Sequence, residues 1–256
     1  MKGFIFDLDG TVYLGDQLIE GAAEAIHALR SRGDKVVFLS NKPIATRQSY
    51  AHKLTKMGIP TSVDDILNSS LIVARYLQNV CKKEDKVLVI GEEPIRDELR
   101  DHGIAMSENP LEVSYVVLSW DRQFTYDRLN DLYQAAIRGA VVIASNPDRT
   151  CPLEDGQIPD TGALIGALEG ATGTPIQLVV GKPSKIAAEA AVQHLGLDYD
   201  ACYMVGDRLE TDIKMGNDTG MSSVLVLTGI TTRAMAETSE YTPRYILNSI
   251  KDIVNL

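Results

Sequence analysis

Only three cysteines occur in the 256 residues, Cys81, Cys151 and Cys202, and they stand far apart. Their number and spacing match no metal-ligand pattern and no disulfide framework, so a reducing cytoplasm is the expected compartment. No apolar run is long enough to span a bilayer. The first strand-like run starts at Gly3, which leaves no room for a signal peptide. Positive charge is in deficit: 25 Lys and Arg against 35 Asp and Glu give a formal net charge of −10. That balance argues against nucleic acid and anionic membrane as main partners. No dinucleotide glycine fingerprint follows a strand. Gly181-Lys182-Pro183-Ser184 resembles part of a phosphate-binding P-loop, but Pro183 takes the hydroxyl position and the upstream glycine is missing. Gly162, Gly166 and Gly170 are spaced by four in a segment too short and polar-flanked for a membrane helix. His27, His52, His102 and His194 fall on separate predicted helices without ligand spacing and read as surface or boundary residues. Internal repeats and low-complexity tracts are also absent.

What is present is a chain with 45% apolar residues, enough for a sizeable core. Strand-like apolar runs alternate with helical patterns throughout, which predicts a parallel α/β architecture. Strands are expected at 3–8, 35–40, 87–90, 115–118, 140–145, 176–180, 202–205 and 223–227, with a short extended piece at Ile66 and Leu67. Helices are expected at 20–32, 46–57, 70–81, 94–102, 126–138, 162–171, 184–195 and around 212–217, and a short strand and helix at the end. The charged break Lys82-Lys83-Glu84-Asp85-Lys86 and the turn Gly173-Thr174-Pro175 mark domain boundaries. The fold class is therefore a doubly wound, Rossmann-like parallel-sheet core, residues 1–82 plus 176–256. An α/β cap domain, 83–175, is inserted between the two halves, and such domains act as lids.

Phe4-Ile5-Phe6-Asp7-Leu8-Asp9-Gly10-Thr11 is the most informative stretch. An apolar strand stops on one carboxylate and a second follows two positions on. Carboxylates this close resist ionising together unless a cation or proton lies between them. Three further apolar runs end in polar groups: Val36–Leu39 at Ser40-Asn41, Leu178–Val180 at Gly181-Lys182, and Tyr203–Val205 at Gly206-Asp207. In a parallel sheet all such ends lie along one edge, where ligands bind. The set suits phosphoryl transfer, which needs mainly positioning and charge neutralisation. Mg²⁺ takes oxygen ligands and bridges carboxylate and phosphate. Lys182 would neutralise the nucleophile and phosphate, Ser40 would donate to a phosphate oxygen, and Asp9 would act as acid and base. Taken singly, Ser40 and Asn41 are ordinary helix caps. Asp212 is open between a support for this set and a helix-face charge.

On these residues the chain resembles the haloacid dehalogenase superfamily. Asp7-Leu8-Asp9-Gly10-Thr11 is similar to its first motif, Ser40-Asn41 to its second, Lys182 to its third, and Gly206-Asp207 with Asp212 to its fourth. Thr11–Gly15, Ser40-Asn41-Lys42-Pro43, Asp121–Tyr126, Asn146-Pro147-Asp148 and Val180–Ser184 are similar to the NagD-like phosphatases with a large α/β cap. Within that group the chain looks closest to AraL-like sugar phosphatases and p-nitrophenyl phosphatases. The resemblance implies Asp7 as nucleophile, Asp9 as acid/base, and Mg²⁺ held by Asp7, Asp207 and the backbone carbonyl of Asp9. It departs from many relatives at Pro159-Asp160, where they carry a glycine after the proline.

The expected function is Mg²⁺-dependent hydrolysis of small phosphate monoesters, foremost sugar phosphates, through an aspartyl phosphate. Asp9 separates it from dehalogenases, whose halide needs no proton donor. The stretch from Val12 to Gly21 is too short for the small helical cap of mutases. Asn146, Asp148 and Arg149 in the longest cap loop are candidates for substrate contact, with an ordinary surface loop the rival reading. The expected partner is a small phosphorylated metabolite, with a homodimer left open. A receiver-like phospho-aspartate switch and a catalytically silent binding protein are the alternatives.

Overall fold

The structure is a computed structural model that describes residues 1–153 and 156–256. In chain order the elements are β1 (Gly3–Phe6), β2 (Tyr13–Leu14), β3 (Gln17–Leu18), α1 (Ala22–Ser31), β4 (Lys35–Ser40), α2 (Arg47–Lys56), β5 (Ile66–Asn68), α3 (Ser69–Val80), β6 (Val87–Ile90), α4 (Glu93–Asp101) and β7 (Tyr115–Leu118). Then come α5 (Tyr126–Ile137), β8 (Val141–Ala144), β9 (Thr150–Leu153), β10 (Gly156–Pro159), α6 (Thr161–Thr172), β11 (Leu178–Val179), α7 (Lys185–Leu195), β12 (Cys202–Gly206), α8 (Lys214–Thr219), β13 (Ser222–Val226), α9 (Arg233–Thr238) and β14 (Tyr245–Leu247). The chain divides into two compact units: Met1–Ser40, Arg47–Leu67 and Lys182–Leu256 in the first, Asn41–Thr46 and Asn68–Gly181 in the second.

The first unit is built on a six-stranded sheet in the order β14-β13-β12-β1-β4-β5. β1 lies at its centre, parallel to β12 on one side and β4 on the other, with Phe6 opposite both Val205 and Phe38. All four β1 residues are buried, as a strand covered on both faces requires. Strand order reverses beside β1, and such switch points leave a crevice at the carboxyl ends. α1 buries Ala22, Ala25, Ile26 and Leu29, the i, i+3, i+4, i+7 stripe of an amphipathic helix. Ser184 caps α7, its Oγ accepting from the Ala187 N–H at 3.2 Å. The hydroxyl that follows Lys182-Pro183 thus has a capping role.

Between β1 and α1 the chain forms a small antiparallel hairpin, with Tyr13 opposite Leu18 and Leu14 opposite Gln17. Gly15 turns it with a φ of 53°, a conformation that favours glycine. Two-residue strands carry no readable alternation, so the sequence did not announce it. The helix predicted around 212–217 is present as α8, entered through a π-helical turn, Leu209–Ile213, that carries Asp212.

The second unit has its own parallel sheet, β11-β8-β7-β6. Its core packs Leu88, Ile90, Val116, Leu118 and Val142 against Leu132, Ala135 and Leu168. Residues 176–180 were expected in the first sheet. β11 instead pairs with β8, Leu178 opposite Ile143 and Val179 opposite Ala144. Val180 N–H extends the pairing to the Ala144 carbonyl at 3.0 Å. Both β11 residues are half-buried, as on an edge strand, and an apolar run does not say which sheet it will join. The unit also starts before residue 83, because α3 packs on α4 and buries Leu71, Ile72, Val73, Ala74 and Leu77. The longest cap loop, which carries Asn146, Asp148 and Arg149, runs into the antiparallel pair β9 and β10. No helix among the described residues is long and apolar enough to cross a membrane.

Candidate active site

The carboxyl ends of β1 and β12 bring the acids together. Asp7 follows β1, and its N–H continues the ladder to the Val205 carbonyl at 2.8 Å. Asp207 follows β12 one step further on. Asp212 returns from the π-helical turn, and Gly206 makes room for it: a Cβ there would lie 2.2 Å from the Asp212 carboxylate. Asp7, Asp207 and Asp212 each offer an oxygen within 4.8 Å of the others.

Lys182 is the cation in this group. Its Nζ donates to Asp7 Oδ1 at 2.5 Å and to Asp212 Oδ1 at 2.7 Å. The side chain is only 2% exposed. Burial alone would push this amine down, but Asp212 and Asp7 reverse that and hold it above the usual lysine range. Three acids against one amine leave negative charge uncompensated. Asp207 is accordingly raised from its ordinary value, first by burial and then by the charges of Asp7 and Asp212. Asp212 is also raised by burial, with Lys182 opposing.

The Asp207 carboxylate is held from one side only. Oδ2 accepts the Ile230 N–H at 2.7 Å, while Oδ1 is buried with no hydrogen-bond partner. Gly10 and Gly229 close around it: a Cβ on Gly10 would stand 2.6 Å from Oδ2, and one on Gly229 only 2.0 Å. Gly10 has a φ of 87° and its carbonyl accepts the Thr228 hydroxyl at 2.7 Å. The Thr228–Ile230 loop was missed in the sequence; its one signal was a glycine three residues past the end of an apolar strand. An orphaned buried carboxylate oxygen, all-oxygen donors and surplus negative charge fit a hard divalent cation. Asp212 is less suited as a ligand, because its oxygens are taken by Lys182 and by the Arg208 N–H at 3.1 Å.

Asp9 lies one residue past Leu8 in the same loop and is half-buried. Ser40 is the last residue of β4, buried, at the same edge of the sheet. Asn41 belongs to the second unit. Its Nδ2 donates to Asp148 Oδ2 at 2.9 Å. Its carbonyl accepts from Ser69 Oγ at 2.8 Å and Asn146 Nδ2 at 3.1 Å. The remaining polar capacity of Asn146 is spent inside the unit too. Nδ2 also reaches Thr161 Oγ1 at 3.1 Å, and Oδ1 accepts the Asp148 N–H at 2.9 Å. Asn146 is fully buried. Through these bonds it braces the loop that carries Asp148. Arg149 is exposed, and Asp148 is half-buried. Asp160 caps α6 through the Thr161 N–H.

The chain is similar to known proteins over nearly its whole length. A family model described as haloacid dehalogenase-like hydrolase matches residues 4–105. A second, described as HAD-hydrolase-like, matches residues 179–253. The chain is 46% identical over 254 residues to the sugar phosphatase AraL of Bacillus subtilis, covering 99% of this chain and 92% of that protein. The structure of a p-nitrophenyl phosphatase from Archaeoglobus fulgidus superposes with a TM-score of 0.94 at 36% identity, covering 99% and 98% of the two chains. A glycerol phosphate phosphatase from Mycobacterium tuberculosis, in complex with calcium, gives a TM-score of 0.89 at 29% identity, covering 98% and 74%.

Proposed function

The chain belongs to the haloacid dehalogenase-like hydrolases, and on that footing we propose that it is a Mg²⁺-dependent phosphatase of small phosphate monoesters, sugar phosphates foremost, with Asp7 as nucleophile. The observation that carries the reading is the clustering of the Asp7, Asp207 and Asp212 carboxylates, with Asp7 and Asp212 both paired to the buried Lys182. The likeness to a sugar phosphatase over nearly the whole chain supports the substrate class.

An Asp7 oxygen attacks phosphorus in line and the ester P–O bond breaks. Asp9, entering protonated, gives its proton to the departing alkoxide, so the alcohol leaves neutral. Water then attacks the phosphorus of the aspartyl phosphate and loses a proton to Asp9. The Asp7–phosphorus bond breaks, releasing inorganic phosphate and restoring both carboxyl groups. Lys182 balances the charge of Asp7 before attack, and Ser40 supplies a hydroxyl donor to a phosphoryl oxygen. Asp7, Asp207 and the Asp9 carbonyl would hold Mg²⁺, which when bound neutralises charge on the phosphoryl oxygens. Asp212 holds Lys182 in place. The acid–base role of Asp9 is worth roughly 10²–10⁴-fold. The small number and wide spacing of Cys81, Cys151 and Cys202 in the sequence support a cytoplasmic setting.

The test is release of phosphate from p-nitrophenyl phosphate and a panel of sugar phosphates, with and without EDTA and with Mg²⁺ added back. Asp7→Asn is expected to remain folded and lose turnover. Robust activity of Asp7→Asn would remove it from the nucleophile role, and turnover in EDTA would remove the metal.

A further inference from the structure

One lysine on α2 grips the hairpin that follows the catalytic loop. Lys53 Nζ lies 4.0 Å from the centroid of the Tyr13 ring. It also donates to the Gly15 carbonyl at 2.6 Å and pairs with Asp16 Oδ1 at 3.2 Å. Asp16 is fully exposed, so that ion pair is the weakest of the three contacts. The cation–π contact is the stronger, because the ring beneath the ammonium is buried, with Tyr13 only 1% exposed.

Tyr13 in turn fixes the backbone around Asp9. Its carbonyl accepts the Gly10 N–H at 2.8 Å and its N–H donates to the Leu8 carbonyl at 3.3 Å. A short bridge also joins Tyr13 to Asp9. The path from Lys53 through Tyr13 to Asp9 is therefore one of direct contacts within the first unit. The base of the hairpin is buried at Val12, Tyr13 and Ile19, where the Ile19 N–H donates to the Val12 carbonyl at 3.0 Å, but its tip is open. Its strands are two residues long, and Leu14, Gly15, Asp16 and Gln17 are exposed. Segments with so few buried contacts open locally at small cost unless something ties them down.

We propose that Lys53 is a positioning residue for the acid–base carboxylate: by clamping Tyr13 and the Gly15-Asp16 turn it holds the Asp9 backbone where the Asp9 carboxyl meets the leaving group. The inference rests on the role given to Asp9 above. Proton transfer is sensitive to displacement, and a misplacement of about 1 Å costs on the order of 10²-fold. A loosened hairpin is thus felt most where the leaving group needs a proton.

That dependence separates positioning from mere surface stabilisation. p-Nitrophenolate leaves without a proton, whereas a sugar alkoxide does not. Wild type, Lys53→Met, Lys53→Arg and Asp9→Asn are compared on p-nitrophenyl phosphate and on the sugar phosphate that the wild type turns over fastest. Asp9 also serves the later hydrolysis of the aspartyl phosphate, which is common to both esters. The variants are therefore compared in kcat/KM, which reads only the steps through departure of the leaving group. Lys53→Met is expected to lose about tenfold on the sugar phosphate and less than about threefold on the aryl ester. Lys53→Arg, which keeps a cation over the ring, recovers most of the sugar phosphate rate. Asp9→Asn shows the same asymmetry, larger, at about 10²-fold or more. If Lys53→Met slows both esters equally, or neither, while Asp9→Asn remains asymmetric, the positioning role is wrong. If Asp9→Asn shows no asymmetry, the acid–base reading of Asp9 fails first and the inference falls with it.

Discussion

Lys182 and Asp212 form a buried ion pair, Nζ to Oδ1 at 2.7 Å, with side-chain exposures of 2% and 1%. A pair so removed from water is costly to break, because the survivor keeps its charge without its partner. Here the survivors would include Asp7, which shares the same ammonium.

Lys182→Met is therefore expected to do two things at once. Turnover is lost, and stability falls by about 3–5 kcal/mol, since three acids are left facing one another. Denaturant unfolding in EDTA reads the second effect without interference from bound metal. A variant as stable as wild type would show that the amine does not neutralise this group.

Gly229→Ala tests the cradle of Asp207. The added Cβ would lie 2.0 Å from Oδ2, so the carboxylate must move and its bond to the Ile230 N–H must break. Mg²⁺ affinity measured by titration calorimetry is expected to weaken by about tenfold or more. Unaltered affinity would exclude Asp207 as a ligand.

Asp160 makes stability depend on pH. Burial first, and the charge of Asp148, push its carboxyl up to about 6, against hydrogen bonds from Thr161 and Asn146. The folded state thus holds this proton more tightly than the unfolded chain does. Stability from the protonated form is full below the unfolded pKa and is lost as pH rises through about 6. The swing is at most about 3 kcal/mol. Asp160→Asn keeps an acceptor at the helix cap and removes the charge. Its stability relative to wild type should rise between about pH 4 and pH 7 and then level off; a flat difference across that range would contradict the assignment.

Asn146 and Arg149 should separate by readout. Asn146→Ala strips buried partners from Asn41 and Asp148 and is expected to cost about 2 kcal/mol. Arg149 is exposed, so Arg149→Ala should leave stability within about 0.5 kcal/mol. Any effect of the second variant should appear in KM. Unchanged thermal unfolding of Asn146→Ala would mark it as an open, substrate-facing group.

Much of this architecture was legible in the residues. The β/α rhythm announced two parallel sheets, and carboxylates directly after Phe6 and Gly206 announced acids at one edge. The limits have physical causes. Leu178-Val179 reads as strand but could hydrogen-bond into either sheet, so its membership of the second unit was hidden. The Tyr13–Leu18 hairpin is too short to show a period, and the Lys53 contact on it depends on α2 lying alongside. Asn146-Pro147-Asp148 reads as a substrate loop, yet whether an amide faces outward or braces Asn41 is decided by packing alone. Asp212 could not be told from a helix-face charge until the π-helical turn brought it under Lys182.

The most direct test of the central claim is the stereochemical course of hydrolysis at a phosphorus atom made chiral with oxygen isotopes. Attack by Asp7 followed by attack of water inverts the centre twice, so the account predicts net retention. Net inversion would mean that water displaces the alcohol in one step and that Asp7 never carries the phosphoryl group.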